Sequence, residues 1–317
     1  MKRPHGLLPS RNMRIRVHLA ILCLVATSSS VEAERIFRSG FEGNTSEKLK
    51  FEPPRIDRLL GQDTSVPPPN HWENDLQAQG RGLWFNYVDH KDGVNPEMLG
   101  ARIVRDPKQP NNRVFYAWQK RAEYQRTAYS RVQGELTKFD WPEFYYKVRF
   151  RLGGDIAHGN RQSHEDLSLS LIEVGGGPGF HLCRLILHKW GNKHSWNNGK
   201  APLRWRSEVG TPKSGHTFFK SSGVKAIFNT WQALEFYAKA GDETTGRYWA
   251  AIDGKVLFDE TVKTKDAGNW TNAGILKSYG GPLVNLIKDK GGTHEVWFDD
   301  VEIWNSFPPK KERLNSR

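Results

Sequence analysis

Hydrophobic and polar positions alternate over short runs along most of this chain, which is the period of a strand with one buried face. The clearest run is 234–239, where Leu234, Phe236 and Ala238 alternate with Glu235, Tyr237 and Lys239. Strands are predicted at 36–42, 82–88, 101–104, 113–119, 129–137, 144–152, 167–174, 180–189, 203–209, 235–240, 248–252, 255–258, 274–279 and 295–304. Each is rich in β-branched or aromatic residues and is bounded by Gly, Pro, Asn or Asp. Asp253-Gly254 between two of these runs predicts a type I′ hairpin turn. Residues 43–80 are polar and proline-rich and read as loop, with a short helix near 55–60. No other amphipathic helix of useful length is expected. Many short strands at this spacing predict an all-β sandwich or barrel, with one domain over 34–306 and a polar, frayed tail over 307–317.

The first 33 residues carry a different pattern. Arg11, Arg14 and Arg16 precede an apolar run at 17–26, and small residues then lead to Val31-Glu32-Ala33. This is the layout of a secretory signal, with cleavage expected after Ala33. The apolar run is too short to span a bilayer. The product is expected to be secreted or periplasmic, soluble, without membrane insertion, and monomeric. Loss of the leader removes Lys2, Arg3, Arg11, Arg14, Arg16 and Glu32, and lowers the formal net charge from +12 to +8. Cys23 leaves as well, so Cys183 remains alone and no intrachain disulfide is available. The fold must then rest on its core, which a chain of this length can supply. The twelve tryptophans, sixteen phenylalanines and nine tyrosines fit that need. Most of the rings are read as core and the rest as surface that suits sugar.

Positive charge predicts affinity for polyanions in general. The sequence carries no nucleic-acid motif, and no basic cluster is denser than 147–151. The glycines at 175–177 and 179 lack the Lys-Ser/Thr of a phosphate-binding loop and read as a hairpin loop. A polyanion is therefore the expected kind of partner, and no specific nucleic acid is.

Three stretches carry a family resemblance. Trp231 opens a hairpin that turns at Asp253-Gly254, the run Phe298-Asp299-Asp300-Val301-Glu302-Ile303-Trp304 closes the strand pattern, and Ser39-Gly40-Phe41-Glu42 opens it. Together they resemble the concanavalin A-like lectin/glucanase jelly roll. That resemblance implies a β-sandwich of two antiparallel sheets, one of them curved around a glycan. A secreted jelly roll of this kind would make the expected polyanion an anionic glycan. Within this fold the chain is similar to the jelly-roll polysaccharide lyases of the alginate-lyase and heparin-lyase-I type. Those carry an R-x-E-x-R strand, a Q-I-H strand and a late Lys-and-Tyr strand. Arg131-Val132-Gln133-Gly134-Glu135 stands in the first place, Leu171-Ile172-Glu173-Val174 in the second and Lys277-Ser278-Tyr279 in the third. Gln133 replaces the family's Glu, the Q-I-H triplet is absent, and the tyrosine follows the lysine by two residues rather than four.

The resemblance implies β-elimination. Such a reaction needs a cation or amide on the uronate carboxylate, a base for the neighbouring proton and an acid for the leaving oxygen. Arg131 and Gln133 are the expected carboxylate grip, with Lys277 assisting. The candidates for proton transfer are Tyr279, His181, His188 and Glu173, together with Tyr129. Lys147, Arg149 and Arg151 share one strand face and are expected to make the glycan groove basic, beside Arg184, which shares a face with His188. The alternative for the first three is the solvated face of an antiparallel sheet. A non-catalytic lectin-like reading needs only aromatic platforms, for which Trp190, Trp196 and Trp205 are candidates. Hydrolysis would need carboxylates at alternating positions, and His164-Glu165-Asp166 has the wrong spacing. The fold also implies structural Ca²⁺, held by Glu42 with Asp299 or Asp300. No Cys/His cluster points to zinc.

Overall fold

The alternation resolves into strands β1 (Arg35–Ser39), β2 (Gly82–Val88), β3 (Leu99–Asp106), β4 (Gln109–Gln119), β5 (Arg131–Trp141), β6 (Glu143–Leu152), β7 (Leu167–Gly175), β8 (Leu182–Lys189), β9 (Arg204–Gly210), β10 (Thr217–Lys225), β11 (Gln232–Lys239), β12 (Arg247–Ile252), β13 (Lys255–Thr261), β14 (Trp270–Tyr279) and β15 (His294–Trp304). The computed structural model describes residues 33–41, 82–88, 99–120, 131–176, 182–192, 201–210 and 217–314, with only the backbone for 82–88, Arg131, Thr217 and Leu314. Residues 1–32, expected to form a signal segment, and Glu42, Tyr129, His181 and Trp196 lie outside the described residues.

Two antiparallel sheets stack. One runs β13-β12-β11-β6-β15-β4-β3, with β1 also pairing β15. The other runs β10-β9-β8-β7-β14-β5-β2. Alternate residues from both fill the space between them. Val132, Leu169, Cys183, Trp205 and Ile275 come from the seven-stranded sheet, and Val148, Phe150, Phe236 and Phe298 come from the other; all are fully buried. Trp205 meets Phe150 edge-on across the layer, with centroids 5.8 Å apart. This burial puts Trp205 in the core and rules it out as a sugar platform. The Asp253-Gly254 turn has φ of 51° and 74°, both positive as a type I′ turn requires.

Three elements depart from the sequence expectation. β10 carries Ser221, Ser222 and Gly223 in mid-strand and reads as loop, yet it pairs along β9. A helix, α1 (Gly281–Lys288), carries Pro282 in its first turn and buries Leu283, Val284 and Ile287. At two turns it is too short for its period to stand out. The tail, expected to be frayed, is structured over its described residues, which end at Leu314. A second helix, α2 (Lys310–Leu314), brings Arg313 to 3.4 Å from Glu235 and lays it over Trp249 and Phe307. This cover buries Glu235 and Tyr237, the polar half of the run at 234–239. Among the described residues no helix is long and apolar enough to cross a membrane.

Candidate functional site

The face of the seven-stranded sheet that points away from the core gathers most of the candidates. Across it runs a row set by strand register: Glu135 on β5, Gly274 on β14, Glu173 on β7, Arg184 on β8 and Glu208 on β9. A second row holds Arg131, Tyr279, Ser170, Ile186 and Arg206 on the same five strands. Because paired residues share a face, each row is a line of neighbouring positions about 5 Å apart.

A bulge in β14 decides what the site contains. Between Gly274 and Tyr279 the strand spends five steps while β7 spends three, and its register with β5 also shifts. Leu276 takes a φ of 47° there and turns into the core. Against β5 the same five steps stand opposite four, from Glu135 to Arg131, and this one extra residue flips the alternation, as a bulge does. Asn272 and Gly274 lie on the open face before it, and Lys277 and Tyr279 lie on the same face after it. Ser278 then points inward. Its hydroxyl bonds His294 Nε2 at 2.9 Å, and Gln119 Nε2 donates to its carbonyl at 2.7 Å and its hydroxyl at 3.1 Å.

Lys277 donates to Glu173 Oε2 at 2.5 Å, with its Nζ 5.2 Å from the centre of the Tyr279 ring. Arg184 bonds Glu208 through Nε and Nη2 at 2.8 and 2.6 Å and lies within electrostatic reach of both Glu173 and Tyr279. Asn272 donates to Glu135 at 2.9 Å. Carboxylates and cations therefore alternate across the centre of the face. Two polar atoms beside this cluster are buried without a hydrogen-bond partner among the described residues: Gln133 Oε1 and Ser170 Oγ. Such atoms are rare in folded proteins and mark places for water or ligand. Gly274 leaves room for this packing, since a Cβ there would sit 3.1 Å from Gln133 Oε1 and 3.5 Å from Lys277 Cδ.

Gln133, Glu173, Arg184, Lys277 and Tyr279 are thus brought together, and Arg131 stands opposite Tyr279 in the ladder. His188 shares their face but sits apart, edge-on to Trp190 at 4.6 Å and Phe219 at 5.3 Å. Arg206 and Phe219, which no sequence reading singled out, complete that second cluster.

Lys147 and Arg149 correct the expectation of a basic groove. They belong to β6, in the eight-stranded sheet, whereas β5 pairs with β14 and β2 in the other. The chain crosses between sheets at Pro142, so consecutive strands are not neighbours. Lys147, Arg149 and Trp231 line a cavity of about 460 Å³ on the outer side of the eight-stranded sheet. Arg151, on the same face, is buried and pairs with Asp106 at 3.1 Å.

Asp299 and Asp300 lie at a bulge in β15, with Asp300 at a φ of 47°. Arg149 Nη1 stands 3.5 Å from Asp299 and 3.2 Å from Asp300. Burial and then the Asp300 charge push the Asp299 carboxyl up to about 7. Among the described residues no three His, Cys, Asp or Glu side chains converge as a metal site.

No family sequence model matches the chain, and no curated protein is similar to it in sequence. Solved structures do match. A variant of an alginate lyase in complex with an alginate tetrasaccharide is similar with a TM-score of 0.50 and 10% identity, over 86% of this chain and 98% of that one. The endo-β-1,4-glucuronan lyase of the fungus Trichoderma reesei gives a TM-score of 0.44 at 15% identity, over 69% and 94%. An alginate lyase from a Chlorella virus gives 0.45 at 11%, over 67% and 90%. The sheet order and the likeness to the first of these make the chain an all-β jelly-roll sandwich with the fold of that alginate lyase.

Proposed function

We propose that this protein binds an anionic, uronate-containing polysaccharide across the open face of the seven-stranded sheet and cleaves it by β-elimination. The observation that carries this reading is the bulge in β14, which sets Lys277 and Tyr279 side by side against Glu173, Gln133 and Arg184. Gln133 and Arg131 would hold the uronate carboxylate. Lys277 and Arg184 would stabilise the negative charge that builds on the sugar as its proton leaves. Tyr279, acting as its phenolate, would take the proton from the carbon beside the carboxylate and become the phenol. The electron pair then forms the carbon–carbon double bond and expels the glycosidic oxygen, and Tyr279 returns the proton to that oxygen. One residue thus serves as base and acid in turn, which suits a site that has His188 displaced to one side.

The test is ultraviolet absorbance of the unsaturated uronate while purified protein acts on alginate, glucuronan, heparin, chondroitin, ulvan and pectate. One glycan should respond, and Tyr279→Phe should abolish the response. A Tyr279→Phe protein that folds and still produces unsaturated sugar overturns the assignment. A second reading, binding without cleavage, draws on the pairing of Lys277 with Glu173 and Arg184 with Glu208, which neutralises the centre. It takes over if one glycan binds while no unsaturated product forms.

Two further parts belong to this proposal. The leader ending at Ala33 would export the chain, which N-terminal sequencing of the exported protein checks. Asp299 and Asp300, with Glu42, would hold a structural Ca²⁺. Two carboxylates facing one guanidinium leave negative charge to satisfy, and oxygen donors suit calcium. Calcium chloride should then raise the melting midpoint of the protein but not that of Asp300→Asn.

A further inference from the structure

Away from the Lys277 cluster, the same face carries a cation of a different kind. Arg206 on β9 lies over two aromatic rings, its Cζ 5.4 Å from the centre of Trp190 and 5.0 Å from that of Phe219. The rings themselves are 5.6 Å apart and inclined at 55°, so the guanidinium rests across a V of aromatic surface. Lys277 and Arg184, at the centre of the face, are each tied to a carboxylate. Arg206 has no ion pair and no hydrogen bond among the described residues, and its Nε is buried with no partner. The carboxylate whose charge acts on it is Asp166, whose Oδ1 accepts from the Gly191 amide at 2.8 Å. Its neighbour Arg204 adds like charge and donates to the Gly223 carbonyl. Burial, and then Arg204, hold the Arg206 guanidinium below its ordinary range. This is a partly desolvated cation without an anion among the described residues.

Its place in the register gives it meaning. Arg206 stands in the same row as Tyr279, three strands away through Ser170 and Ile186. At the usual strand spacing this is about 14 Å. The two side chains between them are short and uncharged, so the row reads as a trough with Tyr279 at one end and Arg206 at the other.

We propose that Arg206, seated on Trp190 and Phe219, is a second binding site on this face, taking the oxyanion of a sugar residue a few units from the one at Tyr279. A guanidinium stacked on rings keeps its outer N–H edge free and presents a planar fork, which matches a carboxylate or sulfate in bidentate fashion. The indole of Trp190 offers its surface to the apolar face of the same sugar. The inference rests on the glycan-binding reading above but not on cleavage.

The experiment measures binding by affinity electrophoresis in gels containing alginate, glucuronan, dextran sulfate or neutral dextran. Tyr279→Phe is the background, so that no polymer is consumed. The first two polymers carry carboxylate alone and the third carries sulfate alone. Arg206→Ala should weaken retention by at least one acidic polymer about tenfold or more. Arg206→Lys should restore little of it, because an ammonium lacks the fork. Neutral dextran should not retain either protein. Arg206→Gln serves in place of the alanine variant should that one fail to fold. Equal retention with and without Arg206, or no retention by any acidic polymer, overturns the site. The proposed elimination fails separately. Arg206-dependent retention by a wild-type protein that cleaves nothing sinks the lyase reading and leaves this site standing. Cleavage with an unchanged KM in Arg206→Ala does the reverse.

Discussion

Lys277 on β14 donates to Glu173 on β7 at 2.5 Å, and the lysine side chain is only 3% exposed against 26% for the glutamate. A cation held so far from water depends on its carboxylate. Removing one partner of such a pair is expected to cost more than the pair is worth, since the other charge is left behind. Because Glu173 is partly solvated, Glu173→Gln should destabilise the fold by only about 2 kcal/mol. Adding Lys277→Met should recover part of that loss. Guanidinium unfolding of the wild type, both single variants and the double variant gives the coupling directly. Additive losses would mean that the two groups do not depend on each other.

Behind Lys277 and Tyr279, Ser278 bonds His294, which is fully buried. Burial holds the imidazole down to about 3, from an ordinary value of 6.5. The unfolded chain therefore binds a proton at this residue below pH 6.5, whereas the folded chain resists it until near pH 3. The neutral histidine contributes its stability in full above pH 6.5 and loses it as the pH falls towards 3. By pH 4 the loss is about 3 kcal/mol. Carboxylates elsewhere also respond to acid, so the comparison that isolates His294 is with His294→Gln, which cannot titrate. Unfolding free energies at pH 7 and pH 4 should fall less in the variant than in the wild type. Equal falls would place the acid sensitivity elsewhere.

Local pattern and long-range arrangement were not equally legible. The alternation at 234–239 named its own core face, and Lys277 and Tyr279, two residues apart, lie on one side of their strand. Gln133, Glu173 and Arg184 could be picked by position along the chain, and they meet because register carries them into adjacent rows. What the sequence hides is the partner of each strand. Consecutive strands usually neighbour one another, which is why Lys147 and Arg149 were expected beside Gln133. The single residue Pro142 separates β5 from β6, and nothing in its surroundings signals that it joins two sheets. The β14 bulge is hidden for a different reason. Leu276 is an ordinary hydrophobic residue, and its positive φ is imposed by tertiary contacts, among them the bond its amide donates to Tyr146 Oη at 3.2 Å.

Gly274 offers a way to disturb the site without disturbing the fold. It lies in the row between Glu135 and Glu173, and its backbone is not left-handed, so an alanine there meets no conformational penalty. In the strand interior alanine would by itself be neutral or slightly favourable. Its Cβ would, however, fall 3.1 Å from Gln133 Oε1 and 3.5 Å from Lys277 Cδ. The first of these is too close, so the Gln133 amide must move by a few tenths of an ångström. If Gln133 grips the uronate carboxylate as proposed, Gly274→Ala should keep its stability within about 1 kcal/mol while losing about tenfold or more in kcat/KM, because small misplacements of a positioning group are costly. A parallel loss of stability and activity would reduce the effect to packing. Full activity in a stable Gly274→Ala protein would remove Gln133 from the mechanism.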